Sequence, residues 1–157
     1  MTPVLSLALL LVGAQAPSGT TAAELEVLLF AAVFHQQRTE LLDAEARARG
    51  VVLCLAIDPG GAPQSVSAER LKALDLGPLI RRGAECEVHQ NRALEIATKR
   101  SAILVTAGPI EWVKADEAWV TVTQTWTVSR SLRRPYRVVR EPDGAWRSLG
   151  PILITMN

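Results

Sequence analysis

Few side chains in this sequence have the type and spacing to do chemistry. The two histidines are His35 and His89. Neither stands at His-x-x-x-His spacing or beside a cysteine or acidic cluster, so no metal site is expected. His35 follows Phe34 in a helical stretch and can face a pocket beneath that helix, where an imidazole titrating near neutrality serves as general acid or base. It is the one candidate catalytic residue, although a lone histidine is more often a boundary residue. His89 lies beside Gln90 and Asn91, in a loop. The nearest thing to paired carboxylates is Asp116 and Glu117, with Glu111 close by, and a hairpin turn explains the pair without chemistry. Nucleophile elbows, phosphate-binding glycine loops and zinc spacings do not occur, which argues against the commoner hydrolases, nucleotide enzymes and metalloenzymes. No cofactor is expected.

Cys54 and Cys86 are the only cysteines, and their compartment decides their reading. Ahead of Glu24, the first charged side chain, Val4 to Val12 is an apolar run followed by Gly13-Ala14-Gln15-Ala16. That pattern is a secretory signal peptide over residues 1–16, with an apolar region too short to span a bilayer and small residues at cleavage spacing. The start, Met1-Thr2-Pro3, lacks a Lys or Arg, and cleavage after Ala14 rather than Ala16 avoids Pro17. Residues 17–21 are a linker, and residues 22–157 form one domain with no membrane span, secreted or periplasmic. In an exported chain an even cysteine pair is most simply a disulfide, two buried thiols being the alternative. Neither cysteine belongs to a Cys-x-x-Cys redox motif.

Candidate binding residues cluster late in the chain. Arg130, Arg133, Arg134, Arg137, Arg140 and Arg147 stand against Glu141 and Asp143, with Tyr136 and Trp146 interleaved. Such a patch suits an anionic surface, but arginines on an exposed hairpin also solubilise it and block edge pairing. The formal net charge of +1 gives no field for nucleic acid or membrane, and no nucleic-acid partner is expected. Trp119, facing away from the valines of its own strand, is the aromatic interface candidate, together with Tyr136, Arg134 and Arg137.

The elements that must position these residues follow from pattern. Trp119 to Val128 alternates: Val120, Val122, Trp126 and Val128 share one face, interrupted by Gln124, and threonines fill the other, as in a strand with one face on a core. Thr21 and Glu24 form a capping box that starts a helix near Ala22, with Val27, Phe30, Ala31, Phe34 and Leu41 on its apolar face. This helix ends near Gly50 or breaks near Gln37. Val51 to Ile57 is an unbroken apolar run, hence a strand buried on both sides, and Ser67 caps a short helix carrying Leu71 and Leu74. Ala84, Cys86 and Val88 alternate as a half-exposed strand, while Gln90 to Arg100 reads equally as strand or loop. Ala107-Gly108-Pro109 reads as a turn and Ser129 to Arg134 as a basic connection. Tyr136 to Arg140 and Trp146 to Thr155 are the last strands, joined by Glu141-Pro142-Asp143-Gly144. The expected fold is α+β, an N-terminal helix packed on a curved antiparallel sheet of roughly four to six strands.

Gly108-Pro109-Ile110-Glu111-Trp112, Asp116 to Val122, and the hairpin Tyr136 to Arg147 resemble small exported bacterial proteins of unknown function. In outline the hairpin is similar to those of nuclear-transport-factor-2-like and cystatin-like domains. The resemblance implies a cone-like α+β fold and no particular activity. Together these features point to an exported, non-enzymatic binding domain for a protein or a small apolar ligand, through the concave sheet face or an exposed edge. The alternative is an acid-base enzyme with His35 in a pocket between helix and sheet.

Overall fold

A computed structural model describes residues 21–153. The expected signal peptide, most of the linker and the end of the last strand lie outside these residues. Helix α1 (Ala22–Leu41) starts at the capping box: the Thr21 hydroxyl accepts from the Glu24 amide at 3.3 Å, and the Thr21 amide donates to the Glu24 carboxylate at 2.8 Å. There is no break at Gln37. The helix ends at Leu41, and Asp43 then caps the short α2 (Ala44–Ala48), whose exit passes through Gly50 into β1 (Val52–Ile57). A short β2 (Gln64–Ser65), α3 (Ala68–Leu74) and β3 (Ile80–Arg82) follow. After a tight turn at Gly83–Glu85 come β4 (Cys86–Val88), β5 (Ala93–Glu95), β6 (Ser101–Lys114), β7 (Glu117–Thr127), β8 (Arg130–Arg140) and β9 (Trp146–Pro151).

The fold is α+β, but its sheet is larger than expected and not purely antiparallel: nine strands among the described residues, the main path running β2-β1-β6-β7-β8-β9. β1 lies parallel to β6, from Val52 opposite Ala102 to Ile57 opposite Ala107, and parallel to β3 on its other side. α3 makes the crossover that parallel pairing of β1 with β3 requires. From β6 onward the sheet is the antiparallel meander read from the sequence.

Two expected connections turn out to be strand. β6 continues through Ala107-Gly108-Pro109 across an irregular step in register, and the Gly108–Pro109 peptide is cis. Gly108 has φ +117, and a Cβ there would stand 2.1 Å from the Asp58 carbonyl oxygen, so the local composition of a turn serves a close backbone approach. Ser129 to Arg134 is mostly β8, because Thr127 already pairs with Arg130 across a turn of two residues.

α1 packs on one face of the sheet through Leu25, Leu29, Phe30, Val33 and Phe34, a stripe displaced from the expected one, in which Val27, Ala31 and Leu41 are only partly buried. It meets Val105, Val120, Val122, Tyr136 and Val138, each fully buried side chain contributing about 1.5–3 kcal/mol. Gln124 interrupts the valine face for a reason: its buried amide donates to Oε1 of Gln37, itself fully buried on α1, at 2.6 Å. β1 is buried on both faces. Leu53 and Leu55 join the main core, while Val52 and Cys54 face a smaller one with Ala93 and Ala102, beneath the folded-over β4–β5 hairpin. The expected disulfide joins Cys54 to Cys86 across this smaller core.

Candidate functional site

α1 carries apolar residues around more of its circumference than the core uses. Beside the buried stripe run Leu28, the adjacent pair Ala31 and Ala32, His35 and Thr39, a row along one side of the helix in which Leu28, Ala32, His35 and Thr39 recur every three or four residues. This second stripe overlooks the start of β9, and the two line a groove of about 620 Å³, within the range of ligand pockets. Trp146 and Ser148 point from β9 to the α1 side, since Ser148 pairs with the buried Val138. Trp146 is fixed edge-to-face against Trp112, with ring centroids 5.7 Å apart. The Ser148 hydroxyl oxygen is enclosed and has no hydrogen-bond partner among the described residues. Leu28, 45% exposed, forms part of the opposite wall. β9 ends the sheet path, so its outer edge has no partner strand among the described residues.

His35 lines this groove between α1 and β9. It is exposed, and its imidazole has no hydrogen-bond partner among the described residues to orient it. The other candidate residues lie apart from the groove. Tyr136 is a core residue, 2% exposed, whose phenol donates to Glu40 at 2.9 Å and whose pKa burial raises. Trp119 is half-buried, opposite Arg137 on β8 and Glu111 on β6. Arg137 donates to both oxygens of the buried Glu117 at 2.8 and 2.9 Å, and this guanidinium holds the Glu117 carboxyl below its usual value. Arg134 is exposed. The arginine series is thus divided: Arg130 lies over Trp126, Arg137 grips Glu117, and Arg147 stands near Glu141 at 3.7 Å.

The strongest charge cluster lies away from these residues. Glu95, 4% exposed on β5, accepts from the Thr98 hydroxyl and from the guanidinium groups of Arg81 and Arg100. The Thr98 hydrogen bond above all, with both arginines helping, lowers its pKa to about 2. Every partner is satisfied, so this network fastens the β4–β5 hairpin. Among the described residues no group of three His, Cys, Asp or Glu side chains could hold a metal ion, and no helix is long and apolar enough to cross a membrane.

Leu28 and Ser148 were missed from sequence, and Trp146, read as part of the arginine patch, lines the groove instead. The signal for Leu28 was present, because the helix reads apolar at Leu28, Ala31 and Ala32 as well as on its core face, but Ser148 offers no signal of its own. No family model, curated protein or solved structure matches the chain.

Proposed function

We propose that this chain is an exported, non-enzymatic binding domain, secreted or periplasmic, that receives its partner in the groove between α1 and β9. One observation carries the reading: a helix already anchored in the core turns a second stripe of apolar and small residues toward a sheet edge that has no partner strand among the described residues. Exposed apolar surface beside a sheet edge that has no partner strand among the described residues supports a surface that is covered in use. The apolar run at the start of the chain and the Cys54–Cys86 disulfide support the exported setting.

The test is a photoreactive side chain placed at Leu28, with a second at Thr123 on the opposite sheet face, in cells that make the protein. Adducts from Leu28 and none from Thr123 are expected. Adducts from Thr123 alone would move the binding surface to the other face and overturn the reading.

The second reading, an acid-base enzyme, is favoured by one observation, that His35 lines the same groove. The two separate on His35→Gln. Under the binding reading the Leu28 adduct forms undiminished and keeps its mass, whereas an enzyme would accumulate uncleaved or unconverted substrate in the groove.

A further inference from the structure

We infer that the occupant of the groove is an extended polypeptide segment that adds to the open edge of β9 as a further strand beneath α1. This rests on the groove being the binding site. The dimensions suit a strand: from Leu28 to Thr39 the helix rises about 16 Å, the length of about five extended residues. The edge offers what such a segment needs, since alternate residues of a strand paired on one side direct their N–H and C=O groups outward. Only the first part of β9 is available, because Gly150, at φ +97, and Pro151, which has no N–H, close the far end. The usable edge is therefore Trp146 to Leu149, the stretch beside the groove. A compact apolar ligand would cover the helix stripe and leave these backbone groups unpaired.

The lining also specifies side chains. Residues of the added strand that face α1 pass over Ala31 and Ala32, whose short side chains leave room for apolar groups. The one opposite Ser148 meets a small side chain whose hydroxyl is already enclosed, which leaves room for a small or apolar group. On the other face stands Arg147, its side chain 69% exposed and held only by a 3.7 Å contact with Glu141. His35 and Arg147 are the ionisable residues of the lining, which contains no carboxylate. Charge complementarity then selects Asp or Glu opposite Arg147. The partner segment carries small or apolar side chains on one face and an acidic residue on the other, a mode of recognition in which the backbone supplies affinity and alternate side chains supply specificity.

The probe is the peptide acetyl-Val-Asp-Thr-Thr-Val-amide at about 1 mM, followed by amide NMR of the domain, with two forms N-methylated on one or the other alternate set of residues. Strand addition predicts that alternate amides from Trp146 to Leu149 exchange at least about tenfold more slowly, and that one methylated form loses binding while the other keeps it, because only one edge of the peptide is used. Arg147→Glu, a surface change, should weaken the peptide and favour its Lys-for-Asp counterpart. Equal behaviour of the two methylated forms, or unchanged β9 exchange, would overturn the inference. If the photoreactive Leu28 protein nevertheless carries an adduct, the groove remains the binding site with a compact occupant. Should neither adduct nor peptide effect appear, both readings fall. Slowed exchange of β9 that grows with protein concentration alone would assign the edge to a second copy of this chain and equally overturn the inference.

Discussion

Replacing Gln124 by Leu should cost the domain about 1–2 kcal/mol of stability, although it places a more apolar side chain in a buried position. Gln37 is 0% exposed and Gln124 6%, so water cannot take the place of either amide. Oε1 of Gln37 accepts from Nε2 of Gln124 at 2.6 Å, whereas Nε2 of Gln37 keeps a longer contact to Glu40 at 3.4 Å. Gln124→Leu therefore strands one buried acceptor, a penalty of about 1–3 kcal/mol that the added apolar burial offsets in part. Gln37→Leu strands the donor of Gln124 at a similar cost. The double variant removes both polar groups together and should lie within about 1 kcal/mol of the parent, giving a coupling of about 1–3 kcal/mol. Urea unfolding followed by tryptophan fluorescence reads all four proteins, provided the dependence on denaturant stays constant across them. A double variant whose loss equals the sum of the two single losses would refute the reasoning, because the amides would then not be each other's partners.

Other outcomes follow from the same geometry. Gly108→Ala places a Cβ 2.1 Å from the Asp58 carbonyl in a backbone region alanine avoids, so the β1–β6 junction must shift; a loss of about 2–4 kcal/mol, or no folded protein, is expected in thermal unfolding. Glu95, with its folded pKa lowered from 4.5 to about 2, stabilises the fold fully above pH 4.5, and this contribution disappears as the pH falls toward 2. That drop corresponds to at most about 3 kcal/mol, reduced to ~2 by solvent around Arg100, so Glu95→Gln should flatten the acid limb of the stability profile between those pH values. Breaking the disulfide with Cys54→Ser and Cys86→Ser should cost about 3–4 kcal/mol in denaturant unfolding, and the unreduced protein should resist alkylation until it is unfolded and reduced.

What could be read in advance was what neighbouring residues decide among themselves. Thr21 and Glu24 announce the start of α1, and the unbroken apolar run from Val51 announces a strand covered on both faces. The long-range pairings leave no local trace. Nothing near Val52 says that it will lie beside Ala102, parallel, so the sheet read as antiparallel and too small. Gly108-Pro109 has the composition of a turn, and only the passage of Asp58 behind it explains why it lies within a strand. Gln124 looked like an interruption because its partner is 87 residues away. For the candidate site, the place of His35 on the first helix was legible, but not that its imidazole stands exposed beside a groove along α1. Tyr136 was read as a surface aromatic because the pattern around the arginines gives no hint of Glu40 above it. Ser148 gains its interest only when α1 and β9 come together.

The parallel pairing of β1 with β6 also bears on how the chain acquires its shape. β1 is complete by Ile57, yet β6, the strand that pairs along its whole length, and the valines that α1 covers come from the second half of the sequence. Closing such distant segments is slow, and little of the core can form before β6 to β8 are available. The main core over α1 must therefore wait for most of the chain's length to be present. That delay is what a polypeptide needs if it is to be threaded end-first through a narrow pore and fold only on the far side.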